Sequence, residues 1–321
     1  VPTCANPNAG DNGVLQNRGN LSGCEEQYRA TDCEDGAECP WLVHTSLNPD
    51  DGTDSTNPPI WDDFGCIATL GTNACGFEQQ MEASLAALTT QAQPGMPNEG
   101  FLREDSLLAI IYVTDEDDCS TGHGPMFDTS RTDLGPLNTR CAFQEDLLYP
   151  IERYVDGFRN LRRENDEMIV VAAITGVPVN GTWESGDSIE ALEALQVVSA
   201  TDPSSLEPSC RTDLGLAYPP VRFAKLIYAF DMDGILASIC QNDWTPALDA
   251  ITNRLIEKLP GTCVARELAS ADADVCTVVE TLVDDRPCPH LADLATDERT
   301  TGWQLDGLLD EEGRRRCIIL P

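Results

Sequence analysis

Lysine is nearly absent. Lys225 and Lys258 are the only two, and every other basic residue is arginine. Histidine is scarce too, with only His44, His123 and His290, and no two cysteines stand in a CxxC spacing. A zinc or iron–sulfur centre therefore lacks its usual ligand pattern. No apolar run reaches the length needed to cross a bilayer. Aromatic residues make up 6%, and the five tryptophans are scattered, so no base-stacking stripe exists. The glycines form no phosphate-cradling loop of Walker type. His123, in "STGHGPM" near Ser120, has no Ser–His–Asp context and reads as a loop histidine; His44 and His290 flank cysteine-rich loops.

Acid is abundant. Across 321 residues, 55 acids face 20 bases, for a formal charge of −35. Nucleic acid and anionic membranes would be repelled, whereas cations and basic proteins would be drawn in. An acidic, lysine-poor surface also suits salty surroundings, where self-repulsion is screened. Fourteen cysteines are spread along the chain: Cys4, Cys24, Cys33, Cys39, Cys66, Cys75, Cys119, Cys141, Cys210, Cys240, Cys263, Cys276, Cys288 and Cys317. That even number predicts a disulfide framework and an oxidising compartment: extracellular, cell-surface or periplasmic. Connectivity stays open, with near neighbours such as Cys66–Cys75 and Cys119–Cys141 expected to pair. The chain begins at Val1 and shows no signal peptide, so it reads as a mature or trimmed product.

Composition divides the chain into three parts. Residues 1–60 are rich in Gly, Asn, Asp and Pro and read as a stapled loop region. Residues 61–259 alternate helical and strand patterns. "GFEQQMEASLAAL" places Phe77, Met81, Leu85 and Leu88 on one helical face, and "LLYPIERYVDGFRNL" does the same for Ile151, Tyr154, Phe158 and Leu161. "DSIEALEALQVV" and "TPALDAITNRLIEKL" also read as helices. "SLLAIIYVT" and "EMIVVAAIT" are continuous apolar runs, as in strands covered on both sides, and "ILASI" is a shorter strand. "VRFAKLIYAF" fits helix or strand. Residues 260–321 lose this rhythm and read as a cysteine-rich appendage. The expected fold is α/β, a mostly parallel Rossmann-like sheet flanked by helices, with disulfide-stapled loops at both ends.

In an open parallel sheet, ligands bind at the carboxyl ends of the strands. The strand of "IIYVTDEDDCS" delivers Thr114, Asp115, Glu116, Asp117 and Asp118 to that edge. One loop earlier "LGTNACGFEQQ" delivers Thr72 just before a helix. Hydroxyl and carboxylate oxygens from neighbouring loops suit a hard cation, Mg²⁺ or Ca²⁺. A solvated acidic turn pinned by Cys119 is the competing reading. In "NPDDGTDSTNPP", Asp50, Asp51 and Asp54 are closely spaced oxygen ligands, without the full spacing of a known calcium loop.

Taken with "DEMIVVAAITG" and "SICQNDWTPALDAI", these stretches resemble von Willebrand factor type A domains, and more narrowly a cysteine-rich secreted bacterial subgroup. The likeness extends from "GDNGVLQN" to "GWQLDG". It implies a metal-dependent adhesion site in which Thr72 matches the family's threonine and Asp115 its later aspartate, the metal completing its shell with an acidic group of a protein ligand. Glu116 replaces the family's usual glycine. The family's leading Asp-x-Ser-x-Ser loop has no counterpart after an apolar strand, and residues 51–55 only echo it. The resemblance thus implies that an upstream fragment or a partner chain completes the sheet. It points to a non-catalytic extracellular binding module, or to a structural subunit of a larger extracellular assembly.

"YAFDMDGIL" resembles, over a few residues, the nucleophile motif of haloacid-dehalogenase-type phosphatases. That likeness implies Asp231 as nucleophile and Asp233 as acid/base beside Mg²⁺, with Lys258 and residues 284–285 as imitations of later motifs. The alternative is an acidic turn between two elements.

Overall fold

The computed structural model describes residues 12–16, 41–42, 60–69, 76–103, 106–162, 168–180, 183, 188–258, 302–309 and 315–320. Thr72, the loop of Asp50, Asp51 and Asp54, and residues 284–285 lie outside them, as do Cys75, His44 and His290. The chain falls into two compact units, Val1–Leu255 and Ile256–Pro321.

In chain order the elements are α1 (Ile60–Ala68), α2 (Gln80–Leu88), β1 (Leu108–Val113), α3 (Arg140–Phe143), α4 (Ile151–Asn160), β2 (Ile169–Thr175), α5 (Ser188–Glu193), β3 (Cys210–Arg211), β4 (Leu216–Ala217), α6 (Val221–Tyr228), β5 (Gly234–Ser238), α7 (Thr245–Lys258), β6 (Gly302–Leu309) and β7 (Arg315–Leu320). The architecture is mixed α/β. Three parallel strands form a sheet in the order β1–β2–β5, flanked by helices. β3 and β4 form a small antiparallel hairpin. In the second unit, β6 and β7 form another.

β2 is buried at every position, as its unbroken apolar run predicts for a central strand. On one sheet face, Met81, Leu85 and Leu88 of α2, Tyr154 and Phe158 of α4, and Phe223, Leu226 and Ile227 of α6 pack on Leu108, Ile110, Tyr112, Val171 and Ala173. Of the residues that the helical period selects, Met81, Leu85, Leu88, Tyr154 and Phe158 are buried here, and Ile151 and Leu161 are partly buried. Val155 joins the core unselected, and Phe77 precedes α2 and packs with Cys119, Met126 and Leu148. "VRFAKLIYAF" resolves to helix because Val221, Ala224 and Ile227 fall on one side, all buried. On the opposite face, Ala247 and Ile251 of α7 cover Ala172 and Ile174 of β2.

That second cover does not reach β1. Its burial alternates, and Ile111 and Val113 are 46% and 55% exposed. The expectation of a strand covered on both sides holds for β2 and fails for β1. Among the described residues β1 pairs with β2 alone. Leu108 N donates to Met168 O and Thr114 N to Ile174 O. In the parallel pattern the N–H and C=O of Ala109, Ile111 and Val113 therefore point away from β2.

Two disulfides join described residues, Cys119–Cys141 and Cys210–Cys240. The first is the expected near-neighbour pair. Cys66 is also disulfide-bonded.

Candidate functional site

The carboxyl ends of β1, β2 and β5 lie along one edge of the sheet, and the acidic turn leaves β1 there. Its four acids divide into two pairs with different work.

Asp117 and Asp118 turn inward. The Asp117 carboxylate accepts hydrogen bonds from Arg222 N at 2.9 Å and Phe223 N at 3.3 Å, in the first turn of α6. Asp118 accepts from Met81 N of α2 at 3.0 Å, and from Ser120 N and the Ser120 hydroxyl. Ser120 Oγ in turn accepts from Glu82 N at 3.1 Å. The first N–H groups of a helix have no partner within it, and they carry the positive end of its dipole. The turn therefore caps two helices that pack on the same sheet face. The Arg222 guanidinium reaches Asp118 Oδ2 at 3.1 Å and Tyr149 O at 2.9 Å. Cys119, between the capping carboxylate and Ser120, is tied to Cys141.

Asp115 and Glu116 face the edge. Thr114 Oγ1 donates to the Glu78 carboxylate at 3.1 Å and accepts from Glu116 N at 3.2 Å. Gln80 Nε2 donates to Thr114 Oγ1 at 3.1 Å and also to the Glu78 carboxylate. Gln80 Oε1 is buried without a hydrogen-bond partner. Burial first, and then the charge of Asp115, raise the Glu78 carboxyl above its usual range, against the lowering hydrogen bonds of Thr114 and Gln80. Glu116 is pushed up to about 7 by burial, Glu78 and Asp115. These carboxyls crowd each other in partly dry surroundings, and the donor set is entirely oxygen. Among the described residues no three His, Cys, Asp or Glu side chains are grouped to hold a metal by themselves. A shell here would have to draw on hydroxyl, amide or water oxygens.

Beside Asp115 opens a cavity of about 600 Å³ between the β3–β4 hairpin and the loop after β5. Asp115 O accepts from Tyr218 N at 2.8 Å, and Cys210–Cys240 ties the hairpin to that loop. Gly176, just past β2, leaves no room for a side chain: an added Cβ would lie 2.1 Å from Tyr218 O.

Asp231 and Asp233 sit elsewhere. They precede β5, at its amino end, on the edge opposite the acidic turn. The phosphatase likeness requires them to follow a strand. Asp231 has a φ of 49°, and Asp233 is paired with Arg254 of α7 at 2.7 Å. His123 is exposed in its loop.

Sequence reasoning missed Glu78, Gln80, Arg222 and the hairpin. Glu78 and Thr114 are 36 positions apart, and no local pattern links them. An arginine within the apolar run "VRFAKLIY" was the available signal for a buried ion pair.

No protein-family model, curated protein or solved structure matches the chain.

Proposed function

We propose that the chain is a non-catalytic extracellular binding module of von Willebrand factor type A-like, Rossmann-like arrangement, which engages a protein partner at the carboxyl edge of its sheet. The crowding of Glu78, Asp115 and Glu116 around Thr114 carries this reading. It favours a hard divalent cation, Mg²⁺ or Ca²⁺, for which Glu78, Asp115 and Glu116 with the free Gln80 Oε1 are the oxygen donors at hand. Such a cation would neutralise the crowded carboxylates and offer a coordination position to an acidic group of the partner. The disulfides support an oxidising compartment. In the described residues no helix is long and apolar enough to cross a membrane.

Capture of partner proteins from the native extracellular fluid on the immobilised chain, with and without chelator, tests the reading. Capture lost with chelator and in Asp115→Ala supports it. Capture unchanged in both sinks the cation-dependent form.

The exposed face and outward backbone groups of β1 favour a second reading, a structural subunit of a larger extracellular assembly. A neighbouring chain would add a strand to β1 and cover Ile111 and Val113. Such a subunit would co-purify at fixed stoichiometry and ignore chelators.

A further inference from the structure

We propose that the cavity beside Asp115 receives an arginine side chain of a partner protein when the edge holds no divalent cation. The proposal rests on the binding-module reading and names the chemistry that the cavity selects. Three features converge there. First, the cavity is lined by two carboxylates, Asp115 and Asp213, both exposed and neither with a hydrogen-bond or ion-pair partner among the described residues. Arg211, on the same hairpin, is directed to Glu207 at 3.8 Å and lines an adjoining cavity that shares Asp213 with this one. Second, the half-buried ring of Trp244 lines the cavity at the start of α7. Third, Leu214 at the hairpin tip is fully exposed, so an apolar surface stands open next to the charges.

Carboxylates, an aromatic face and an apolar lip together match a guanidinium on its aliphatic stem. The planar group stacks on an indole and donates paired hydrogen bonds to carboxylates, while its methylenes cover apolar surface. An ammonium satisfies the charge but neither the fork nor the stack. The walls are built in advance. The Cys210–Cys240 bond, the Tyr218 N–Asp115 O hydrogen bond and the Ser209 hydroxyl donating to Gly176 O fix the hairpin against the sheet. Little ordering then remains to be done on binding. A volume of about 600 Å³ takes the arginine and parts of its neighbours. The net charge of −35 steers basic segments toward the chain. Asp115 also belongs to the acid cluster, so a divalent cation and a guanidinium compete for it.

The test uses acetyl-Gly-Arg-Leu-amide as probe, with the full chain in chelator, reading the indole N–H resonance of Trp244, assigned by its loss in Trp244→Phe. The expected result is a saturable shift that is weakened about tenfold or more in Asp213→Asn and in Asp115→Asn, as loss of a charge-assisted hydrogen bond implies. The same peptide with citrulline for arginine should bind at least tenfold more weakly, and added Ca²⁺ should weaken the arginine peptide. Equal binding of the arginine and citrulline peptides overturns the proposal, as does Asp213→Asn binding like the parent. Calcium bound at Asp115 with no arginine response defeats the cavity proposal alone. An arginine response that neither Ca²⁺ nor Mg²⁺ weakens overturns the competition for Asp115, and direct titration of the two ions then decides the broader reading separately.

Discussion

The carboxylate of Asp118 and the guanidinium of Arg222 meet at 3.1 Å, with side chains 0% and 4% exposed. Their contact joins the end of β1 to the start of α6. A buried pair leaves a bare charge when one partner is removed, at a cost of about 3–5 kcal/mol. Arg222→Met and Asp118→Asn are each expected to lose roughly that much. The double variant should lose less than the sum, by more than about 1 kcal/mol, because the second change removes the stranded charge. Urea unfolding of the four proteins checks this; additive losses would mean that the two side chains are not coupled.

Arg140 is buried, and among the described residues no carboxylate forms an ion pair with it, although its charge helps to lower the Asp128 and Asp133 carboxyls. Its guanidinium donates to the carbonyls of Gly135, Pro125, Met126, Asp128 and Arg131. These bonds hold the loop that follows the acidic turn. A lysine has neither the fork nor the number of donors. Arg140→Lys and Arg140→Met should both speed limited proteolysis between residues 124 and 139, with far less effect on cleavage elsewhere. Unchanged cleavage in both variants would show that the loop is held by something else.

Much of the sheet could be read in the sequence. β2 and the inward faces of α2 and α4 follow from apolar spacing. β1 could not be read fully, because Leu108–Val113 is apolar at every position and an apolar run does not say which side is covered. The division of labour in the acidic turn was also hidden. Asp117 becomes a helix cap only because α6, more than a hundred residues later, ends up beside it. Asp118 becomes one only because α2, whose Met81 N it accepts from 37 residues earlier, starts there. "FDMDG" matched a motif locally, but the pattern does not reveal which end of a strand it occupies. Cys119–Cys141 was legible as a short loop, whereas Cys210–Cys240 depends on how the hairpin folds back.

Glu116 gives a pH dependence with a definite sign. Its folded carboxyl titrates at about 7, against the usual 4.5. The folded state therefore holds its proton more firmly than the unfolded chain does, and stability falls as pH rises from about 4.5 through 7. Glu116→Gln removes this residue's share of the slope and leaves that of Asp117, which burial also pushes up to about 7. The melting temperature of the variant minus that of the parent should grow from pH 5 to pH 8. A difference that stays flat across this range would contradict the crowding of the cluster.

The Cys210–Cys240 bridge, 30 residues apart in sequence, should contribute about 2–4 kcal/mol by constraining the unfolded chain. Replacing both cysteines by serine is expected to lower the melting temperature by several degrees. It should also weaken the arginine-peptide response at Trp244, since the cavity wall loses its anchor. Retention of full peptide binding would separate the cavity from the bridge.

The central proposal is that a divalent cation binds at the carboxyl edge beside Asp115, with Glu78, Glu116 and hydroxyl, amide or water oxygens to complete its shell. Calorimetric titration of Ca²⁺ and of Mg²⁺ into the chelator-stripped chain tests it most directly, at pH 8 and about 0.15 M salt so that diffuse attraction to the acidic surface is screened. The account predicts a saturable site for at least one of the two ions that disappears in Asp115→Asn and weakens at pH 5. Heats that never saturate for either ion, or a site that survives in Asp115→Asn, would contradict it.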